Sequence, residues 1–112
     1  MLNQIILVGR ITQLPQDNIL TLAVSRSYKN ENGEYETDFI PVNIPNTLIQ
    51  NVIDYTKVGD VIGVKGRLET RITTDDDYNK TKQIVIIADR ITFLSSSNTQ
   101  TTPANNLEEG EI

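Results

Sequence analysis

Residues 46–57 read Asn46-Thr47-Leu48-Ile49-Gln50-Asn51-Val52-Ile53-Asp54-Tyr55-Thr56-Lys57. Leu48, Ile49, Val52, Ile53 and Thr56 fall at i, i+1, i+4, i+5 and i+8, one stripe of a helix. Pro45 precedes the stripe, Asn46 or Thr47 is placed to cap its first turn, and Gly59 suits its C-terminal end. On both sides of this segment the apolar period is two. Upstream, residues 37–44 put Ile40, Val42 and Ile44 on one strand face. Residues 29–36 form a polar hairpin tip around Asn32-Gly33, a strong turn signal. Before it, residues 19–28 alternate, with Leu20, Leu22 and Val24 on one face and Thr21, Ala23 and Ser25 on the other. Pro15 to Asn18 mark a turn, and residues 4–11 are a β-branched run interrupted by Gly9. Downstream, residues 61–71 read as a fourth strand with Gly63 and Gly66, residues 73–82 as a long polar loop, and residues 83–94 as a fifth strand.

The order is three strands, a helix and two strands. It predicts an all-β OB-fold, a five-stranded Greek-key barrel with one helix between strands 3 and 4. Gly9 and Gly66 sit where such a barrel bends. Their Gly-Arg pairs lie inside strands, so neither is a phosphate loop, which needs a longer Gly-rich run opening a helix. The folded domain is expected over residues 1–94. Residues 95–112 carry no large apolar side chain before Leu107 and are expected as a disordered linker with a short acidic tail.

A chain of 112 residues, 38% apolar, supports one domain with one small core. It has no cysteine and no histidine, which removes disulfides, thiolate nucleophiles, Ser-His-Asp triads and the usual zinc sites. No catalysis, cofactor or metal is expected, and a binding module is. No run approaches the about 18 apolar residues of a membrane span, and the first residues lack a signal-peptide pattern. The expected compartment is the cytoplasm. The net charge is −5, three units of which sit on Glu108, Glu109 and Glu111, so the domain itself is only mildly acidic and has room for a basic face.

Phe39 opposes Ile40, Val42 and Ile44 in strand parity, so it points outward if they point in. An outward aromatic on such a barrel is a stacking platform for a nucleic-acid base. Tyr28 ends the second strand between Arg26 and Lys29, which suits stacking beside phosphate contact. In the fourth strand Lys65, Arg67 and Arg71 share a face, diluted by Glu69, and suit a phosphate backbone. Asp75-Asp76-Asp77 lack the converging spacing of a calcium or magnesium site and read as a loop tip, from which Tyr78 can reach a strand of nucleic acid.

These residues together resemble the bacterial single-stranded DNA-binding protein family and its phage and plasmid relatives, over residues 2–94. The matching pieces are Asn3 to Ile11, Leu20 to Tyr28, Gly33, Thr37-Asp38-Phe39, Tyr55 to Asp60, Val64 to Arg71 and Val85 to Ile91. The resemblance implies a homotetrameric OB-fold that binds single-stranded DNA without strong sequence preference during replication, recombination or repair. It implies stacking on Tyr28 and Phe39 and phosphate contact by Arg26, Lys57, Lys65, Arg67 and Arg71. The chain departs from the family at Pro45 and Thr73, which stand where an aromatic is common, and at Pro41, where a basic residue is common. Tyr35 and Tyr78 are the aromatics available to offset this. The family tail ends Pro-Phe and docks replication and repair proteins; here Glu111-Ile112 ends the chain, which counts against that docking. The other readings are an OB-fold replication-restart adaptor working through protein contacts and an RNA-binding OB domain.

Overall fold

The computed structural model describes residues 1–95, and the tail expected after residue 95 lies outside the described residues. Five strands and one helix follow in the order β1 (Ile5–Gln16), β2 (Ile19–Lys29), β3 (Tyr35–Asn43), α1 (Asn46–Tyr55), β4 (Val61–Thr74) and β5 (Lys80–Ser95). The sheet closes as a barrel in the order β1-β2-β3-β5-β4. Four of its seams are antiparallel; the fifth, between β3 and β5, is parallel and rests on the single register pair Asn43↔Ile87. This is the expected five-stranded barrel with its helix between the third and fourth strands.

The alternating residues supply the core. Leu20 and Leu22 of β2, Val42 of β3, Ile62 and Val64 of β4 and Ala88 of β5 are buried together with Ile11, Ile44 and Val52. The helix contributes Val52, with Leu48 and Ile49 packed beside it. Ile53, expected on the same stripe, is exposed, and α1 stops at Tyr55 rather than at residue 57. Thr56 ends it, bonding the Val52 carbonyl through both its backbone N–H (3.1 Å) and its hydroxyl (2.5 Å).

Other boundaries also differ from the sequence expectation. Pro45 itself occupies the N-cap without a side-chain bond, and Asn46 Oδ1 instead accepts from Asn18 Nδ2 at 2.6 Å. Gly59 lies beyond the helix end; at φ 98° its N–H reaches the Ile11 carbonyl at 2.8 Å and ties the entry of β4 to β1. β1 runs through Pro15 to Gln16, because register shifts after Ile11 and Gln13 admit the proline at an irregular stretch. The turn shrinks to Asp17 and Asn18, at φ 53° and 65°. Half of the polar stretch 73–82 is strand, and only residues 75–79 are loop: β4 and β5 stay paired out to Thr74↔Lys80. No residue of Thr70–Thr74 or Lys80–Ile84 is buried, so this end of the hairpin is a ribbon wet on both faces.

Gly66 has a steric reason to be glycine. A Cβ there would run into the Ile87 carbonyl, where the ladder shifts register between Lys65 and Gly66. Among the described residues no helix is long and apolar enough to cross a membrane.

Candidate nucleic-acid interface

The β2–β3 ladder orients the expected aromatic. Phe39 stands opposite Ala23, Ile40 opposite Leu22 and Val42 opposite Leu20. Side chains alternate along a strand, so the buried Val42 fixes the outward direction of Phe39, which is 65% exposed. Thr37 and Tyr35 continue the same outward row. Tyr35 is 59% exposed and pairs across the ladder with Lys29, whose Nζ stands 5.6 Å from the ring centroid. Phe39 and Tyr35 thus form an outward row with a cation over its far ring, and exposed aromatics are the chemistry that stacking on bases requires. The sequence reading left Tyr35 outside its main set, although its parity with Phe39 was the signal that finds it.

Tyr28 is 64% exposed and sits where the ladder is interrupted. Arg26 is not free beside it. Its guanidinium forks onto Asp38 at 3.0 and 2.9 Å and reaches Glu36 at 2.7 Å. The hydrogen bond to Asp38 is the main reason the Arg26 pKa is raised above its ordinary value, and the same bond holds the Asp38 carboxyl below the usual carboxylate range.

The cations of β4 divide. Arg67 is bound by Glu69 at 2.9 Å and by Asp89 of β5. Arg71 has no such partner among the described residues, and with Arg67 it lines a groove of about 450 Å³ that also includes Asn18, Asn43, Pro45 and Ile87. Thr73 lies two residues further along the Arg71 face of the ribbon. Of the two positions that lack the family's aromatic, Pro45 lines this groove, together with Asp17, and Thr73 lies outside its lining. Lys65 is exposed and pairs in register with Arg90, a cation that only the ladder reveals. Lys80 and Lys82 add charge to the ribbon. Lys57 stands apart: it lies 3.7 Å from the buried carboxylate of Asp60, in a separate groove with Tyr55 and Phe93.

Tyr78 is 86% exposed at the tip of the β4–β5 hairpin, with φ 64°. That tip repeats the bonding of the β2–β3 tip. Asn30 Oδ1 accepts from the N–H groups of Asn32 and Glu34, and Asp75 Oδ1 accepts from those of Asp77 and Asn79. Asp75 is therefore occupied as a turn former. Tyr78 takes the place that Gly33, at φ 78°, fills in the other tip.

Three comparisons bear on this surface. The model of the single-strand binding protein family matches residues 2–94. A "Single-stranded DNA-binding protein 1" of Clostridium acetobutylicum is 35% identical, over 85% of this chain and 96% of its own length. A "Single-stranded DNA-binding protein 2" of Staphylococcus aureus is 36% identical, over 88% of this chain and 76% of its own. Among solved structures, the barrel resembles a Plasmodium falciparum SSB in complex with ssDNA, with a TM-score of 0.68 at 24% identity, covering 85% of this chain and 97% of that one. It also resembles a small single-stranded DNA-binding protein from Streptomyces coelicolor, with a TM-score of 0.59 at 25% identity, covering 83% and 95%.

Proposed function

The chain belongs to the single-strand binding protein family, and from that premise we propose that it binds single-stranded DNA without strong sequence preference, as a non-catalytic protein that protects transient single strands in replication, recombination or repair. The observation that carries this reading is the outward row of Phe39 and Tyr35, exposed aromatics on a barrel strand with Lys29 beside them. Tyr28 and Tyr78, at the ends of the two hairpins, extend the stacking set. Lys29, Lys65 and Arg71 supply the phosphate contacts, while Arg67, held by Glu69 and Asp89, and Lys57, beside Asp60 in a separate groove, stand outside this set. Stacking suits a sequence-tolerant binder because every base has a π-face. The cations add a salt-dependent term through counterion release.

A homotetramer is part of the same reading. β1 pairs with β4 over Ile5–Arg10 and with β2 only from Arg10 onward. The edge of Ile5–Val8 therefore has no strand across it among the described residues, and Ile6 and Val8 are exposed beside it. An open edge with apolar neighbours supports pairing with a second copy. The cytoplasm remains the proposed compartment.

The test is binding to labelled oligo-dT, with duplex DNA and a matched RNA as competitors, across a salt series. We expect single-stranded DNA to bind and duplex to compete poorly. No binding at low salt contradicts the proposal, and preferential displacement by RNA redirects it to RNA.

A further inference from the structure

The β2–β3 register breaks where Tyr28 sits. Ser25 pairs with Thr37 and Lys29 with Tyr35, so Arg26, Ser27 and Tyr28 together face only Glu36. Bulged residues lack a ladder partner, and side chains set their direction instead. Here Arg26 does so. Its Nε and Nη2 donate to the two oxygens of Asp38, its Nη1 donates to one oxygen of Glu36, and Asn30 Nδ2 donates to the other at 3.2 Å. Glu36 and Asp38 alternate with Phe39, which puts this cluster on the opposite face of β3 from the stacking row. A phosphate approaching Arg26 there would also meet two carboxylates.

We propose that Arg26 is a positioning residue: its fork to Asp38 and Glu36 locks the β2 bulge and thereby sets where the Tyr28 ring stands against a bound strand. This rests on the single-strand-binding reading above and takes the place of the phosphate contact expected for Arg26. The role needs arginine in particular. A planar guanidinium spans both oxygens of one carboxylate and still reaches a second, whereas an ammonium is a point charge.

The test uses the full chain and labelled oligo-dT over a salt series, with R26K, R26A, D38N, Y28A and the R26A/Y28A pair, and a thermal midpoint for each. R26K and D38N should each weaken binding about fivefold, the low end for one stacked base. The slope of log K on log salt should stay at the wild-type value, and R26A should cost nothing further once Tyr28 is alanine. Wild-type affinity in R26K, tighter binding in D38N, or a slope reduced by about 0.7 in R26A would restore the phosphate role and overturn the proposal. A lowered midpoint with unchanged affinity would overturn it as well, leaving Arg26 a purely structural tie. If the unmodified protein fails to bind oligo-dT at low salt, the family-based reading falls and the proposal with it.

Discussion

At the residue scale, Tyr78 holds a backbone conformation that suits glycine. Its φ of 64° matches the 78° of Gly33 in the other hairpin tip, and the two tips share their hydrogen bonds. A bulky residue in the left-handed region costs about 1 kcal/mol. Tyr78→Gly should therefore raise the urea midpoint while weakening binding to oligo-dT, since it removes an exposed ring. Equal or better DNA binding by the glycine variant would show that the ring does not stack. Residue-scale features were unevenly legible in the sequence. Phe39 is readable because Ile40, Val42 and Ile44 leave it one direction to point. The partners of Arg26 are not readable, because they depend on how far β2 has slipped past β3 by that point, and two extra residues in a bulge leave no periodic mark.

At the scale of elements, the β2–β3 arm is fastened by the Arg26 cluster, and that fastening titrates. Asp38 is held below the usual carboxylate range, chiefly by its hydrogen bond from Arg26. A carboxyl with a lowered folded-state pKa stabilises the fold above its unfolded-state value, near 3.9, and the contribution disappears as pH falls through the lowered value. The effect is small, because the pair is open to solvent. Urea midpoints of the wild type and Asp38→Asn should differ at pH 7 and converge below about pH 4; a constant gap would show that Asp38 does not carry the dependence. The helix Asn46–Tyr55 is visible in the sequence because its period differs from that of its neighbours. The far half of the β4–β5 hairpin is not. A ribbon wet on both faces needs only backbone pairing, so Thr73, Thr74, Thr81 and Lys82 carry no alternation and read as loop.

At the scale of the whole molecule, the order of elements along the chain follows from the sequence but the closing seam of the barrel does not. The pairing of β3 with β5 rests on the one register pair Asn43↔Ile87, which only the assembled sheet defines. The same sheet leaves the Ile5–Val8 edge open, with Ile6 at 66% and Val8 at 54% exposure. Replacing both with lysine should blunt that edge. By sedimentation the wild type should be a homotetramer and the double variant a smaller species that remains folded; a monomeric wild type would refute assembly through this edge.

The central claim is that the outward face of β2 and β3 takes single-stranded DNA by stacking. Parallel titrations of oligo-dT into the wild type and Phe39→Ala, at two salt concentrations, test it most directly. Phe39 is exposed, so its removal should change the unfolding free energy by no more than about 0.5 kcal/mol. Binding should weaken by about 1–3 kcal/mol with an unchanged salt slope. An unaltered affinity in Phe39→Ala would contradict the account, because the most clearly oriented aromatic of the face would then carry none of the binding.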